Sequence, residues 1–249
     1  MSFGKMPIAN GFLKKKYFRN EFIFKMEVGF SKDISLFQLN DHPKPTLMFN
    51  KNYPFFTSSS KYMVNHFKDY ANWIKRKYFR NVRNIIEIGS NDGTFLKNFK
   101  SNKTNILGIE PSRNVALVAK RKKVNTINKF FKLNTASRLK KFKNKTDLIC
   151  AANAICHIPN LKNLIAGIDK LLSKKGVFIF EEPYLGSMYE KTSYDQIYDE
   201  HIFMFSVSSI KKIFNLYNFE LIDVKKQKTH GGSMRYVIAR KGEYKIKNS

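Results

Sequence analysis

From Asn84 onward, short apolar runs alternate with longer stretches in which apolar positions recur every three or four residues. This is the pattern of β-α-β units laid into a largely parallel sheet. The spacing predicts strands at 84–88, 105–109, 147–152, 176–181, 218–223 and 235–240. The clearest helix is predicted over 160–174, where Leu161, Leu164, Ile165, Ile168, Leu171 and Leu172 share one face and Gly176 follows as a stop. The last two strands are joined by about a dozen polar residues instead of a helix, which predicts an antiparallel pair at a sheet edge. The fold class is therefore α/β, a doubly wound and mostly parallel sheet of six or seven strands.

The first fifty residues follow a different pattern. They show no long helical period, carry several aromatic residues, and include a His-Pro-Lys-Pro stretch at 42–45 that predicts turns. Residues 1–52 are expected to form a small N-terminal lobe, residues 53–80 a helical linker, and residues 81–249 the main domain. In the linker Tyr62, Met63, His66, Phe67, Tyr70, Trp73 and Ile74 recur at helical spacing. The main domain carries an insertion at 182–206 and ends on the antiparallel strands.

Composition narrows the class further. The chain has 249 residues, 43% of them hydrophobic, which is enough for one α/β core and a small appended lobe. No apolar run approaches the roughly 18 residues of a membrane span, and no secretory leader is evident, so a soluble cytoplasmic protein without a membrane partner is expected. Cys150 and Cys156 are the only cysteines and lack a Cys-x-x-Cys spacing, which argues against a disulfide framework. The formal charge of +27 invites a polyanionic partner. Only nine of the 46 basic residues are arginines, however, and the lysines are scattered along the whole chain. That distribution predicts a solvated lysine surface and no nucleic-acid partner, with attraction of an anionic substrate as a by-product.

Candidate chemistry starts at 85–96, IIEIGSNDGTFL, a buried strand running into Gly89-Ser90-Asn91-Asp92-Gly93 and then a helix start. Glycines there let the backbone approach a ligand, and a following helix N-terminus offers free N–H groups. Glu87 sits in the strand just ahead, where a carboxylate suits an ammonium group better than a pyrophosphate. The next strand ends in Glu110-Pro111, which places a second carboxylate where it can accept both hydroxyl hydrogens of a ribose. At the end of the following strand Asn153 and His157, in ANAICHIPNL, open onto the same carboxyl edge, where open α/β sheets bind ligands.

Residues 85–240 resemble class I S-adenosylmethionine-dependent methyltransferases, and within them the sugar C-methyltransferases that act on nucleotide-linked ketohexoses. The resemblance rests on EIGSNDGTFL at 87–96, GIEPS at 108–112, TINKFF at 126–131, ANAICHIPNL at 152–161, YDQIYDEHIFMFS at 194–206 and THGGSMR at 229–235. It extends into the lobe through MPIANGFL, LFQL and MFNKNYPFFTSSS, which are similar to that family's small zinc-binding domain. The resemblance implies a seven-stranded methyltransferase sheet and S-adenosylmethionine as cofactor. It would be held by Glu87, Gly89, Ser90, Asn91, Asp92, Gly93, Glu110, Pro111, Asn153 and His157. Where the family carries a Cys-x-x-Cys, this chain has Ser31-Lys32-Asp33-Ile34, so no structural metal is expected.

The same resemblance implies carbon methylation beside the ketone of an anionic nucleotide-linked sugar. That reaction needs a base for the α-proton and a group to stabilise the enolate oxygen. In the insertion, Tyr198-Asp199-Glu200-His201 supplies the candidates, with His201 as base, since an imidazole of pKa about 6.5 is largely neutral at working pH. Tyr198, three residues earlier, would share its face on a helical turn, while Glu200 would point elsewhere and position a sugar hydroxyl. Tyr53, Glu182, Tyr184, His230, Gly231, Gly232 and Arg235 are the candidate substrate contacts. Methylation of a sugar oxygen, or of a small metabolite, and a non-catalytic binding role are the alternative readings.

Overall fold

The computed structural model describes residues 1–79 and 82–246. Positions 80–81, at the end of the expected linker helix and the start of the main domain, and 247–249, at the C-terminus, lie outside the described residues. The central sheet contains β4 (Asn84–Ile88), β5 (Asn105–Ile109), β6 (Thr126–Ile127), β7 (Thr146–Ala152), β8 (Leu172–Pro183), β10 (Phe219–Gln227) and β11 (Ser233–Arg240). The smaller sheet contains β1 (Ser2–Pro7), β2 (Ile23–Ser31), β3 (Leu36–Leu39) and β9 (Phe203–Met204). The α-helices are α1 (Pro45–Met48), α2 (Lys61–Lys77), α3 (Arg113–Arg121), α4 (Leu133–Arg138), α5 (Leu161–Leu171), α6 (Leu185–Lys191) and α7 (Val207–Asn215).

The seven-stranded sheet runs in the order β10-β11-β8-β7-β4-β5-β6. Every neighbouring pair from β8 to β6 is parallel, whereas β11 is antiparallel to both β8 and β10. Strand alternation splits the core into two layers. Ile85, Leu148, Val177, Ile179 and Val237 face α2, which contributes Phe67, Tyr70, Ala71 and Ile74. Ile86, Ile149, Phe178, Phe180, Tyr236 and Ile238 face the opposite side, covered by Leu164, Ile165 and Ile168 of α5 and Ile210, Ile213 and Phe214 of α7. Both layers are buried and apolar, as expected when βαβ crossovers cover the two faces of a parallel sheet.

Local chemistry sets the helix starts. Ser60 caps α2 by accepting from the Met63 N–H, and Asn160 caps α5 by accepting from Asn163. At α7, Ser206 and Ser209 exchange reciprocal hydrogen bonds in a capping box. Three details depart from the sequence pattern. The α5 helix ends at Leu171 instead of 174, because Leu172 already pairs with Thr146 as the start of β8. Gly176, expected as a helix stop, lies inside β8, where a Cβ would meet the Thr146 carbonyl oxygen at 2.6 Å. Its role is close approach of two strands. The seventh strand, β6, is only two residues long and too short to show any period.

The four-stranded antiparallel sheet, in the order β1-β2-β3-β9, draws its last strand from the insertion. Phe24, Met26, Val28 and Leu39 of the lobe pack against Met188 and Met204 of the insertion in one small core. The stretch Ser31–Ile34 forms the start of the β2–β3 hairpin turn, with Ser35 left-handed at φ 52°. Residues 1–52 hold one histidine and no cysteine, so the lobe lacks the four nitrogen or sulfur ligands of a structural zinc and does not fit that metal. Apolar packing and strand pairing carry it instead. Elemental analysis of the purified protein is therefore expected to find no stoichiometric zinc, and the melting temperature is expected to be the same with and without chelator. One tightly held zinc per chain would contradict this account of the lobe.

Candidate active site

The carboxyl edge of β4, β5 and β7 opens onto a cavity of about 460 Å³. The turn after β4 forms its floor, with Gly89 at φ 69°, Asn91 at 46° and Gly93 at 77°. The N–H groups of Gly89 and Ser90 both point to the Ile109 carbonyl, at 2.9 and 3.3 Å, which ties this turn to the end of β5. A Cβ on Gly89 would lie 2.5 Å from the Ala154 Cβ, so any side chain there would drive the turn and the 153–157 loop apart.

Three acids line this cavity, Glu87, Glu110 and Glu181. Glu87 is buried and its Oε2 has no protein partner; burial, then the nearby Glu110 and Asp92 charges, push its carboxyl well above the usual range. A buried carboxylate oxygen with nothing to accept from fits the ammonium of a methionine moiety. Glu110 accepts at Oε2 from the Asn91 N–H and at Oε1 from the Ser112 N–H, both at 2.8 Å. Each oxygen keeps a second lone pair, the arrangement that two ribose hydroxyls require. Burial outweighs those hydrogen bonds and raises its pKa as well. Ser90, Asn91, Pro111, Asn153 and His157 also line the cavity, with Phe130, Phe131 and Ile158 among its apolar wall.

Two of the expected cofactor residues have other duties. Asp92 is fully buried and accepts from the Thr94 hydroxyl at Oδ1, and from the Ser58 N–H and the Lys122 ammonium at Oδ2. Burial pushes its carboxyl up, but these hydrogen bonds more than offset that and leave it below its ordinary value. Asp92 therefore fastens the segment ahead of α2 to the turn. Gly93 makes room for Val124, which a Cβ would meet at 3.0 Å.

A second cavity, of about 390 Å³, adjoins the first. Tyr53, Phe55, Asn153 and His230 line both, and Tyr198, Glu200 and His201 line the second. The His201 N–H bonds back to the Tyr198 carbonyl at 3.0 Å, closing a turn that brings the two side chains together, with ring centroids 4.4 Å apart. His201 Nδ1 lies 2.9 Å from the Gln196 carbonyl, which can only accept, so the proton belongs on Nδ1 and Nε2 carries the lone pair. The Tyr198 hydroxyl, 3.2 Å away, donates to it. Glu200 turns off that face and accepts from the Asn10 amide at 2.8 Å. Burial, then His157, depresses the His201 pKa to about 3, whereas burial raises Tyr198, which stays a phenol.

His157 joins the two cavities. It stacks on His201 at 5.3 Å, and its Nδ1 and Nε2 lie 2.6 Å from the Glu200 carbonyl and 2.9 Å from the Asn153 carbonyl. Cys156 completes a buried group with these two histidines, all ligand atoms within 4.8 Å of one another. Both His157 nitrogens already face carbonyl oxygens, so the group is organised as a hydrogen-bond hub.

Of the expected substrate contacts, Tyr53 and His230 reach the cavities, and five do not line them. Glu182 caps the Ala154 and Ile155 N–H groups at 3.0 and 2.8 Å, and so shapes the 153–157 loop from below. Tyr184 packs at the rim of the main core. Arg235 is buried against Glu181, at 3.0 and 2.6 Å, and lies over the Tyr70 ring. Gly231 and Gly232 have positive φ, and a Cβ on Gly232 would sit 2.6 Å from Ser187, so Gly232 serves close packing against α6 while Gly231 serves the turn. Sequence reasoning missed Glu181, Asn10 and Phe12. Strand parity was the available signal for Glu181, which shares its face with Val177 and Ile179 and so turns toward α2, opposite to Glu182.

Residues 64–224 match the family model described as a methyltransferase domain, and the chain belongs to that family. Fold and family together make it a methyltransferase domain on a doubly wound α/β sheet. It is similar to the C-methyltransferase NovU of Streptomyces niveus, with 26% identity over 94% of this chain and 56% of that protein. The chain thus spans about half the length of this curated relative. Among solved structures it is similar to the PH0226 protein of Pyrococcus horikoshii, with TM-score 0.59, 13% identity, and coverage of 76% of this chain and 97% of that one. It is also similar to magnesium protoporphyrin IX methyltransferase of Synechocystis with SAM bound, with TM-score 0.53, 12% identity, and coverage of 71% and 79%. Among the described residues no helix is long and apolar enough to cross a membrane.

Excess S-adenosylhomocysteine is expected to raise the melting temperature of this protein by linkage, and Gly89→Val, which closes the cavity floor, is expected to abolish the shift. A thermal melt with and without ligand reads both. The histidine gives a separate expectation. With its folded pKa near 3 and an unfolded value near 6.5, His201 binds fewer protons when folded, so its contribution makes stability rise with pH across that window and level off above it. His201→Asn should flatten the acid limb, measured as urea midpoints from about pH 4 to 7. An unchanged slope would contradict a buried neutral imidazole.

Proposed function

We propose that this chain transfers a methyl group to the carbon beside the ketone of a nucleotide-linked keto-sugar, with His201 as general base. The observation that carries the reading is the hydrogen-bonded Tyr198–His201 pair, which lines a cavity that shares four residues with the cofactor cavity. Two cavities that share four lining residues let a methyl donor in one meet a carbon nucleophile in the other. The likeness to NovU, named a C-methyltransferase, supports carbon as the acceptor.

In this reading Nε2 of His201 removes the α-proton, while Nδ1–H stays on the Gln196 carbonyl and fixes the ring. A pKa near 3 marks a weak base. The proton transfer, however, creates imidazolium and enolate together, and their charges offset each other where burial makes the interaction strong. The Tyr198 hydroxyl exchanges its bond to Nε2 for one to the enolate oxygen, and Glu200, steadied by Asn10, holds a sugar hydroxyl. Bound S-adenosylmethionine supplies an electrophilic methyl group for the enolate carbon. His201 then returns its proton to solvent.

Incubation with labelled S-adenosylmethionine and a panel of nucleotide-linked 4-keto sugars is expected to place the label on carbon. Label on oxygen alone would remove the reading. His201→Asn should keep S-adenosylhomocysteine binding and lose about 10²–10⁴-fold in turnover. It should also stop exchange of the substrate α-hydrogen with deuterated water in the presence of S-adenosylhomocysteine, a half-reaction that needs the base and no methyl group. Exchange at the parental rate would assign the proton transfer to another residue.

A further inference from the structure

Between β1 and β2 the chain runs through Asn10-Gly11-Phe12-Leu13-Lys14-Lys15-Lys16-Tyr17-Phe18-Arg19, a segment of which the mechanism above uses only Asn10. It is bolted to the candidate catalytic turn at its start. The Ala9 N–H donates to Asp199 at 3.0 Å and the Asn10 amide to Glu200 at 2.8 Å, each across 190 positions of sequence. Phe12 follows, on the wall of the second cavity yet 82% exposed, and Phe18 is 60% exposed. The single 3-10 turn from Lys15 to Asn20 buries none of its residues.

The charge of this segment is equally one-sided. Residues 1–20 contain five basic residues and no Asp or Glu. Ion pairs form at Lys25, Lys77, Lys122, Lys174 and Lys226, as Lys122 finds Asp92. Among the described residues Lys14, Lys15, Lys16 and Arg19 have no ion pair or side-chain hydrogen bond, and Lys16 only overhangs the Tyr17 ring. A largely exposed ring on a cavity wall, followed at once in the chain by unpaired cations, fits a ligand that carries both a flat ring and phosphate charge.

We infer that Phe12 and the Lys14–Lys16 run form the subsite for the nucleoside diphosphate portion of the substrate, the ring stacking on Phe12 and the diphosphate facing the lysines. The inference rests on the reading of a nucleotide-linked sugar given above. A sugar whose ketone lies at His201 must send its anomeric diphosphate outward, and Phe12, on the wall of that cavity, leads directly into the lysine run. A nucleic acid is the competing polyanion. The acid-free turn is only six residues long, about 12 Å at the rise of a 3-10 helix, which is short for a nucleic-acid backbone track.

The test is calorimetric, on the whole chain saturated with S-adenosylhomocysteine at about 0.15 M salt. The probes are uridine diphosphate, thymidine diphosphate, inorganic pyrophosphate and a single-stranded oligonucleotide. At least one nucleoside diphosphate is expected to bind more tightly than pyrophosphate. Phe12→Ala should weaken it about tenfold and leave pyrophosphate unchanged, the usual worth of one stacked base. The combined Lys14→Ala, Lys15→Ala, Lys16→Ala variant should weaken both by tenfold or more, while S-adenosylhomocysteine affinity, the measure of an intact fold, stays the same. Unchanged nucleoside diphosphate affinity in the lysine variant would overturn the subsite, as would tighter binding of the oligonucleotide. Equal affinity for pyrophosphate and nucleoside diphosphates would overturn the role of Phe12. Failure of the keto-sugar reading is distinguishable, because label on oxygen or loss of α-exchange leaves these binding constants untouched.

Discussion

A single buried carboxylate holds the two halves of the cleft together. Glu181, near the end of β8, accepts from Arg235 of β11 at Oε2, and meets His66 of α2 and the Thr229 hydroxyl at Oε1, at 2.7 and 3.0 Å. Burial alone would raise its pKa, and the hydrogen bonds from His66 and Arg235 overcome that and hold it below the ordinary value. Removing one partner of such a buried pair leaves an uncompensated charge, a loss of about 3–5 kcal/mol. Two cavity-lining residues, Asn153 and His230, are tied to this position. Its backbone carbonyl receives the Asn153 N–H at 2.8 Å, and Thr229 sets the start of the turn that presents His230.

Around that anchor the interior concentrates acids. Burial raises Glu87, Glu110, Glu182, Asp199 and Glu200, all within or beside the cleft, in a chain whose surface is overwhelmingly lysine. The separation follows from solvation. A lysine ammonium on the surface keeps its water, while each carboxyl inside survives by accepting backbone N–H groups, as Glu110 and Glu182 do, or by holding a proton. A cationic ligand group entering next to the partnerless Glu87 oxygen would reverse that preference locally, so cofactor binding and the charge of the cavity floor are coupled.

Much of this architecture was legible as pattern. The strands at 84–88 and 105–109 were legible to the residue because buried parallel strands are unbroken apolar runs ended by glycine or an acid. Glu87, Gly89 and Glu110 could be placed because their positions follow from strand ends. Asp92, Gly93 and Arg235 could not be sorted from cavity residues, since what decides them is a partner distant in sequence: Ser58 and Lys122, Val124, and Glu181. The local turn that joins Tyr198 to His201 was readable from spacing, whereas the hydrogen bonds from Ala9 and Asn10 across 190 positions were not.

The pairing of β3 with β9, Phe37 opposite Met204 and Gln38 opposite Phe203, has a consequence in time. At translation rates of about 5–20 residues per second, β3 waits roughly ten to thirty seconds before its partner exists. During that interval its edge is an open template of unpaired N–H and C=O groups beside exposed Phe30. Closing so long a loop is entropically slow, and it becomes favourable only once the central sheet has brought residue 203 near. The lobe that comes first in the chain is thus completed last, and the turn carrying His201 reaches its final shape in the same step.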